Sequence, residues 1–509
     1  MTARTWAVAL TGLNGHMVDV EADLSQQTPG FDLIGLGDRA LGEAARRVHN
    51  ACRNSGLDLP RRKLTVNLSP ASLPKHGSAF DVAIAIAALG TGGVLDPVSL
   101  ARTVHLGELG LDGRLRPVPG VLPALHAARE AGFERTVVPF ANEAEARLVP
   151  GMEVHAAVSL AQVALLHGAD VPELGEPEPV LSAATPQTSA PALELADVIG
   201  QDDAVAALVV AAAGGHHLLL SGPPGAGKTM LARRLAGILP DLDEGLALEA
   251  ASIRSLAGET LSRLELRPPF VAPHHSASAV AMIGGGSRTA RPGAIARAHG
   301  GLLFLDEAAE APGAVLDALR QPLESGSIEI HRAGFTARFP ARFQLVLATN
   351  PCPCGSFGVV GEECICPPSA IRRYAARLSG PIRDRLDIEV GVARVSAAAV
   401  AASSSGALST AQARARVEEA RARAARRWRD TPWRLNAHAP GTWLRQGEFR
   451  LPAEVRTPLD RALQRGALTL RGYDRVLRLA WSIADLAGAG APTLAHIGRA
   501  LYLKKGATT

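Results

Sequence analysis

The chain has 509 residues, 47% of them apolar, and its 53 basic and 49 acidic side chains leave a formal net charge of +4. That length predicts about three domains of about 150 residues each, and so modest a charge says little by itself about a nucleic-acid partner. Membrane spanning is excluded, because the apolar run 204–213 stops at Gly214, Gly215 and two histidines; the N-terminus lacks a signal-peptide pattern, so a cytoplasmic protein is expected. The five cysteines, Cys52 alone and Cys352, Cys354, Cys364 and Cys366 together, do not look like a disulfide framework.

Residues 1–170 alternate apolar strands and amphipathic helices, with a strand at 64–68 and an apolar helix at 80–89. The segments Arg61-Arg62-Lys63-Leu64-Thr65-Val66-Asn67, Lys75-His76-Gly77-Ser78-Ala79-Phe80-Asp81 and Gly107-Glu108-Leu109-Gly110 resemble the protease-like domain shared by Lon and RadA. That resemblance implies an S5-type α/β fold. Lon chemistry needs a serine nucleophile and a lysine base, and by the resemblance those positions carry Ala79 and Leu122. Ser78 is one residue off and has no obvious base; Lys75 and His76 read as a polar loop. A non-proteolytic domain serving DNA contact, assembly or partner docking is therefore expected. Residues 171–192, rich in Pro, Glu, Ala, Ser and Thr without periodicity, read as a linker.

Gly222-Pro223-Pro224-Gly225-Ala226-Gly227-Lys228-Thr229 fits the phosphate-loop pattern G-x-x-x-x-G-K-[ST] without deviation. A strand at 216–220 precedes it and a helix at 230–236 follows. Backbone N–H groups turned inward by the glycines, together with a helix N-terminus, suit phosphate oxygens. Lys228 would reach the outer phosphates and the Thr229 hydroxyl would hold magnesium, so ATP and Mg2+ are implied. Only Lys63, Lys75, Lys228, Lys504 and Lys505 are lysines. In a chain that otherwise uses arginine, one of them stands where a compact ammonium is required.

Residues 273–292 form an insertion with paired histidines, a triple glycine, Arg288 and Arg291. It reads as a long surface loop. The apolar strand 301–305 then ends in Asp306 and Glu307. A buried strand delivers such carboxylates at the crevice of an α/β sheet. Asp306 would hold magnesium and Glu307 would polarise the attacking water; the bland alternative is a helix N-cap. Residues 326–339 read as a β-hairpin turning at Ala333-Gly334, with Arg332, Arg338 and Arg342 near it. A third strand, 344–349, carries Asn350 at its tip, placed either to orient water or to form a turn before Pro351.

Cys352-Pro-Cys354 and Cys364-Ile-Cys366 are two C-x-C knuckles on a short loop, able to close around one structural Zn2+ or to remain free thiols. In 378–388 an arginine could complete a neighbouring subunit's site, or simply pair with an aspartate at the surface. After a break at 403–406 the chain is helical, with long helices expected at 410–429 and 475–486. The arginines of 411–429 read as a solvated helix face. Trp428, Trp433 and Trp443 read as core anchors, with base stacking the rarer use.

The order of phosphate loop, strand-end acids, sensor Asn and Gly380-Pro381-Ile382-Arg383-Asp384-Arg385-Leu386-Asp387 resembles the AAA+ ATPases. Pro273-His274-His275-Ser276, Ile283-Gly284-Gly285-Gly286, Asn350-Pro351-Cys352-Pro353-Cys354-Gly355 and Arg471-Gly472-Tyr473-Asp474-Arg475 are similar, more narrowly, to the magnesium-chelatase-like YifB/ComM family. The resemblance covers nearly the whole chain. It implies an α/β fold class: an S5/Lon-like N-terminal domain (1–170), a central three-layer AAA+ core (193–395) and a C-terminal helical lid (396–509). It also implies that Arg385 is the arginine finger, with Arg383 a rival, and that Arg471 is the sensor-2 arginine, with Arg475 and Arg478 on the same helix. A hexameric ring is implied, with both insertions lining a channel that contacts DNA. The function expected is an ATP-driven DNA translocase or branch-migration helicase in recombination or natural transformation. The alternative is a protein-remodelling or chelatase-type partner subunit. A binding module with a dead site is disfavoured, because Lys228, Thr229, Asp306, Glu307, Asn350 and Arg385 are all present.

Overall fold

Strand period and helix caps build the N-terminal part. In the computed structural model, which describes residues 2–35, 38–75, 77–171, 177–181, 193–286, 290–332, 335–359, 361–397, 401 and 407–505, β1 (Thr2–Thr11) and β2 (Asn14–Ser25) form an antiparallel hairpin. β3 (Gly30–Ile34), β4 (Lys63–Ser69), β5 (Thr103–His105), β6 (Arg135–Pro139) and β7 (Glu153–Ala157) complete a mixed sheet of order β3-β4-β2-β1-β5-β6-β7. β4 alternates half-buried and buried residues, as period-2 patterning requires. The helix Asp81–Gly90 is buried on every side, which suits a segment without a polar face. The linker residues 172–176 and 182–192 and the break at 403–406 lie outside the described residues.

A hydrogen-bonded chain runs through this sheet. Thr5 Oγ1 lies 2.8 Å from His105 Nδ1, His105 Nε2 lies 2.8 Å from His167 Nε2, and His167 Nδ1 lies 2.8 Å from Ser99 Oγ. Two facing Nε2 atoms share one proton, so a second proton would leave a buried charge. Burial, and for His105 also the facing His167, pushes both rings down, His167 to about 4. Because both folded values lie below the ordinary 6.5, the unfolded chain takes up protons first as pH falls. Stability that is full above pH 6.5 is therefore lost as pH drops from there toward 4. We expect the His105 and His167 ring proton shifts, assigned by His→Gln replacement, to stay at neutral values down to about pH 5. Midpoints at the ordinary value would contradict this account.

The central part is a three-layer α/β unit. β8 (Leu218–Ser221), β9 (Phe270–Val271), β10 (Leu302–Leu305), β13 (Gln344–Thr349) and β14 (Ile388–Gly391) form a parallel sheet of order β9-β10-β13-β8-β14. Between β10 and β13 in sequence stands the hairpin of β11 (Ser327–Arg332) and β12 (Phe335–Pro340). β10 and β13 are buried at every position, as strands covered on both faces are. The parallel order sets the C-terminal ends of β8, β10 and β13 side by side, where such sheets place their sites. Residues 273–292 hold more order than a loop: a short helix, Ala279–Ile283, and a two-residue ladder of Gly284–Gly285 with Arg291–Pro292. Arg288 lies outside the described residues, as do the hairpin turn 333–334 and the side chain of Arg332.

The C-terminal part is helical. The helix Thr410–Arg427 starts at a capping box of Ser409 and Gln412. Its arginines are not simply a solvated face, which corrects the sequence expectation. Arg421 donates twice to Ala212 O (3.0 and 2.7 Å), Arg414 pairs with Asp241 at 2.8 Å, and Arg427 pairs with Asp485 and lies over Trp481. A sequence periodicity marks the polar face but not the second element packed on it. Trp428 is fully buried, as an anchor should be. The helix Leu470–Leu486 begins five residues earlier than expected, because Thr469 Oγ1 accepts from the Gly472 amide and caps it there. Among the described residues no helix is long and apolar enough to cross a membrane. The expected fold class holds in all three parts.

Candidate functional site

The phosphate loop joins β8 to the helix Lys228–Ile238. Gly225 (φ 75°) and Gly227 (φ 91°) take left-handed backbone that favours glycine, and this bends the loop around its own N–H groups. Lys228 is only 8% exposed. Its ammonium donates to Gly222 O (2.7 Å), Pro223 O (2.9 Å) and Asn350 Oδ1 (2.9 Å). Burial lowers its pKa, and Asp306 and Glu307 act in the opposite direction. Thr229 Oγ1 donates to Asp306 Oδ2 at 2.5 Å, so the two expected magnesium ligands already touch. Asp306 Oδ1 accepts from the Glu307 amide at 2.9 Å.

Glu307 has φ 49° and is the only non-glycine with positive φ among the described residues. Backbone strain of this kind collects at sites whose side chain must point a particular way. The two acids do not cap a helix, since the next helix, Gly313–Ala318, starts after Pro312. Glu307 Oε2 lies 3.1 Å from His275 Nδ1. The structure thus brings Lys228, Thr229, Asp306, Glu307 and Asn350 to one sheet edge, together with His275, to which the sequence reading gave no role at this site.

Arg385 and Arg471 do not reach this edge within the chain. Arg385 donates to Pro381 O at 2.6 Å and pairs with Glu324. Arg383 pairs with Glu389 at 3.1 Å. Arg471 is exposed and has no ion-pair partner among the described residues. Arg475, from the same helix, pairs instead with Asp387, which is 2% exposed. Asp387 also accepts from the His217 amide at 3.0 Å. Burial would raise its pKa, but Arg475 and the adjacent His216 hold it well below the usual carboxylate range. His216 Nε2 in turn lies 2.8 Å from Ser482 Oγ on the Leu470–Leu486 helix. One buried node therefore ties the start of β8, the arginine segment and the lid helix together.

The four clustered cysteines form no disulfide, and their sulfur atoms all lie within 4.8 Å of one another. The Cys352–Cys354, Cys352–Cys364 and Cys354–Cys364 separations are 3.3, 3.7 and 3.6 Å. Sulfurs at about 2.3 Å from a tetrahedral zinc stand about 3.8 Å apart, so this donor set fits that ion. The Phe357 amide points at Cys352 Sγ at 3.3 Å, an outer-shell contact typical of thiolate sites. The knuckle sits directly on the phosphate loop: a Cβ on Gly355 would stand 2.4 Å from Pro224 Cδ. Arg394 donates to Pro224 O at 3.2 Å and pairs with Glu362 of the same cysteine loop.

In the N-terminal part, the Ser78 hydroxyl donates to Glu108, a partner the sequence did not suggest. The buried Lys75 ammonium bonds the Pro70 and Leu73 carbonyls. Leu122 is fully buried in the core. His76 lies outside the described residues.

Comparison with known proteins follows the same three parts. Residues 20–142 match the family described as subunit ChlI of Mg-chelatase, residues 194–400 match magnesium chelatase, subunit ChlI, and residues 407–504 match its C-terminal region. The chain is 39% identical over 501 residues to the competence protein ComM of Haemophilus influenzae, covering 98% of this chain and 96% of that protein. It is 39% identical over 499 residues to YifB of Escherichia coli, covering 97% and 95%. The chain belongs to the magnesium-chelatase-like YifB/ComM family of AAA+ proteins. A Mycobacterium tuberculosis relative, Rv2897c, is 48% identical over 506 residues, covering 99% and 98%.

Three contacts escaped the motif reading of this family member. His275 stood in a quoted segment without a role, because its place beside Glu307 depends on strand order. Gln201, which donates to Ala226 O (2.7 Å) and Ala393 O (3.2 Å), carries no motif signal. The third is the Asp387–Arg475 node. For the cysteines, we expect the purified chain to carry about one zinc, and the Cys352→Ser, Cys354→Ser double variant to lose it in elemental analysis. Unchanged metal content in that variant would rule out the tetrathiolate site.

Proposed function

We propose that this chain is an ATP-hydrolysing motor that assembles as a hexameric ring and acts on DNA. The observation that carries the reading is the convergence of Lys228, Thr229, Asp306, Glu307 and Asn350 at one edge of a parallel sheet. In this reading the chain divides into an N-terminal unit (1–170), a linker (171–192), an ATPase core (193–395) and a lid (396–509). The phosphates of ATP lie against the loop amides, and Lys228 exchanges its carbonyl partners for phosphate oxygens. Thr229 and Asp306 would hold magnesium, which would supply charge neutralisation at the phosphates. Glu307 polarises the attacking water and Asn350 helps to orient it. Arg385 of a neighbouring subunit meets the charge that develops on the transferred phosphoryl group. Arg471, exposed at the start of the lid helix, closes on the nucleotide from above.

DNA is the preferred polymer because arginines stand on and beside the hairpin β11–β12, and because a relative is named as a competence protein. The N-terminal unit abuts that hairpin: a Cβ on Gly12 would meet Arg338 O at 2.4 Å. This contact supports a supporting or docking role for the unit rather than proteolysis. A second reading, a chelatase-type partner subunit, is favoured by the chelatase description of all three matched families. Titrating single-stranded, duplex and junction DNA while following ATP turnover separates the two, with Lys228→Ala as the inactive control. We expect DNA to stimulate turnover. Arg332→Ala should keep DNA-free turnover, weaken the stimulation, and reduce the salt slope of DNA binding by about one. Turnover indifferent to every DNA would favour the chelatase-type reading.

A further inference from the structure

We infer, on the reading of this edge as an ATP site, that Arg394 is a positioning residue which, braced by the cysteine loop, locks the phosphate loop in its binding shape. A phosphate loop works through N–H groups that point inward. In a trans peptide the N–H points opposite to the C=O before it, so a carbonyl held from outside the loop turns the next amide inward. The carbonyls of this loop are held in that way: Lys228 takes Gly222 O at 2.7 Å and Pro223 O at 2.9 Å, Gln201 Nε2 takes Ala226 O at 2.7 Å, and Arg394 Nε takes Pro224 O at 3.2 Å. Lys228 must give up its carbonyls to reach a phosphate, whereas Gln201 and Arg394 can keep theirs. Arg394 thus governs the Pro224–Gly225 peptide and the direction of the Gly225 amide. Gly225 has φ 75°, in a region where glycine is at ease, so this peptide plane turns over cheaply unless something holds it.

Strand register brings Arg394 to this place. β8 and β14 are parallel with Ser221 opposite Gly391, and Pro224 and Arg394 each stand three residues further on. The Val392 amide donates to Ser221 O at 2.7 Å, and a Cβ on Gly222 would meet Val392 O at 2.1 Å, so the two segments stay in contact beyond the strands. About half of the Arg394 side chain is exposed, and so mobile a side chain holds one carbonyl poorly unless its other nitrogens are engaged. They are engaged by the cysteine loop. Arg394 pairs with one carboxylate oxygen of Glu362, and the other accepts from Ser356 Oγ at 2.7 Å. Ser356 is two residues from Cys354 and Glu362 two from Cys364, so this bond spans the loop that the four thiols close. Gly355, between Cys354 and Ser356, is buried and packs on Pro224 itself, where a Cβ would stand 2.4 Å from Pro224 Cδ. With its sulfurs gathered on one ion the loop is a fixed strut. With the knuckles parted, Glu362 loosens from Arg394 and the Pro224–Gly225 peptide is free to turn.

The test is equilibrium binding of a fluorescent ATP analogue, with Mg2+, to the full-length chain, with zinc content measured on each sample. Arg394→Ala should keep its zinc and weaken binding about tenfold, the loss that one hydrogen bond from a charged donor supports. The Cys352→Ser, Cys354→Ser double variant should lose zinc and weaken binding to a similar extent. All three substitutions together should do no more harm than the cysteine pair alone, since both changes act through one brace. Arg394→Lys keeps a donor for Pro224 O and should lose about threefold. If the cysteine variant does not fold, Glu362→Gln, which leaves all four thiols in place, should reproduce the loss seen in Arg394→Ala. Wild-type affinity in Arg394→Ala, or losses that add in the combined variant, would overturn the inference. A wild-type chain that bound no nucleotide would instead overturn the ATP reading. Amide hydrogen exchange across 222–227 in the nucleotide-free chain would then still decide the brace: it should quicken severalfold in Arg394→Ala, and unchanged exchange would contradict it.

Discussion

We expect Glu307→Gln to lower ATP turnover by about 10²–10³-fold and to leave ATP binding intact. The substitution keeps the shape of the side chain and removes the charge proposed to polarise water. It does not touch the loop amides, the Lys228 ammonium or the Thr229–Asp306 contact at 2.5 Å. The strained backbone at φ 49° is set by its surroundings, with the Glu307 amide bonded to Asp306, so the glutamine is held in the same place. Nucleotide should therefore remain on the variant after gel filtration in magnesium, and the assembled state should persist. A Glu307→Gln chain that hydrolyses ATP at the wild-type rate would mean that another group handles the water. Loss of binding would mean that the glutamate is structural.

The second large effect belongs to Arg385→Ala, which should lower turnover by about 10³-fold or more while the protomer's own ATP affinity is kept. Arg385 sits away from its own phosphate loop, with its guanidinium only 13% exposed and paired to Glu324, itself 63% exposed. To act, it must leave Glu324 for a neighbouring subunit's γ-phosphate, which links hydrolysis to assembly. The Asp387–Arg475 node two residues on fixes the base of this arm against the lid helix. Arg383→Ala should matter much less, because Arg383 is 46% exposed and engaged by Glu389. If Arg385→Ala keeps its turnover and Arg383→Ala loses it, the assignments exchange places.

Much of this site was legible because it is written in consecutive residues. A glycine-rich turn, a lysine and a hydroxyl form one structural unit, and an apolar strand ending in acids delivers them to a fixed edge. The hairpin 327–340 could be read from alternation and a turn dipeptide, and the cysteine quartet from spacing. The misses are all tertiary. His216 and His217 were expected within a strand that starts at Leu218, because their rings serve distant partners: His217 Nδ1 accepts from the Leu345 amide at 3.0 Å, and His216 meets Ser482. Arg421 looked like a surface cation until the helix Asp202–Gly214 was found beneath it. Ser78 gained a carboxylate partner from a strand thirty residues away. His275 reaches Glu307 only because β9 is the neighbour of β10, an order that no local pattern encodes.

In the proposed motor, ATP is held by one protomer and triggered by the next. The direct measurement is ATP turnover in an equimolar mixture of Glu307→Gln and Arg385→Ala chains, each inactive alone. In mixed rings some interfaces join an intact Glu307 to an intact Arg385, so turnover should reappear on mixing. A mixture that forms mixed rings and still hydrolyses no ATP would contradict the shared site.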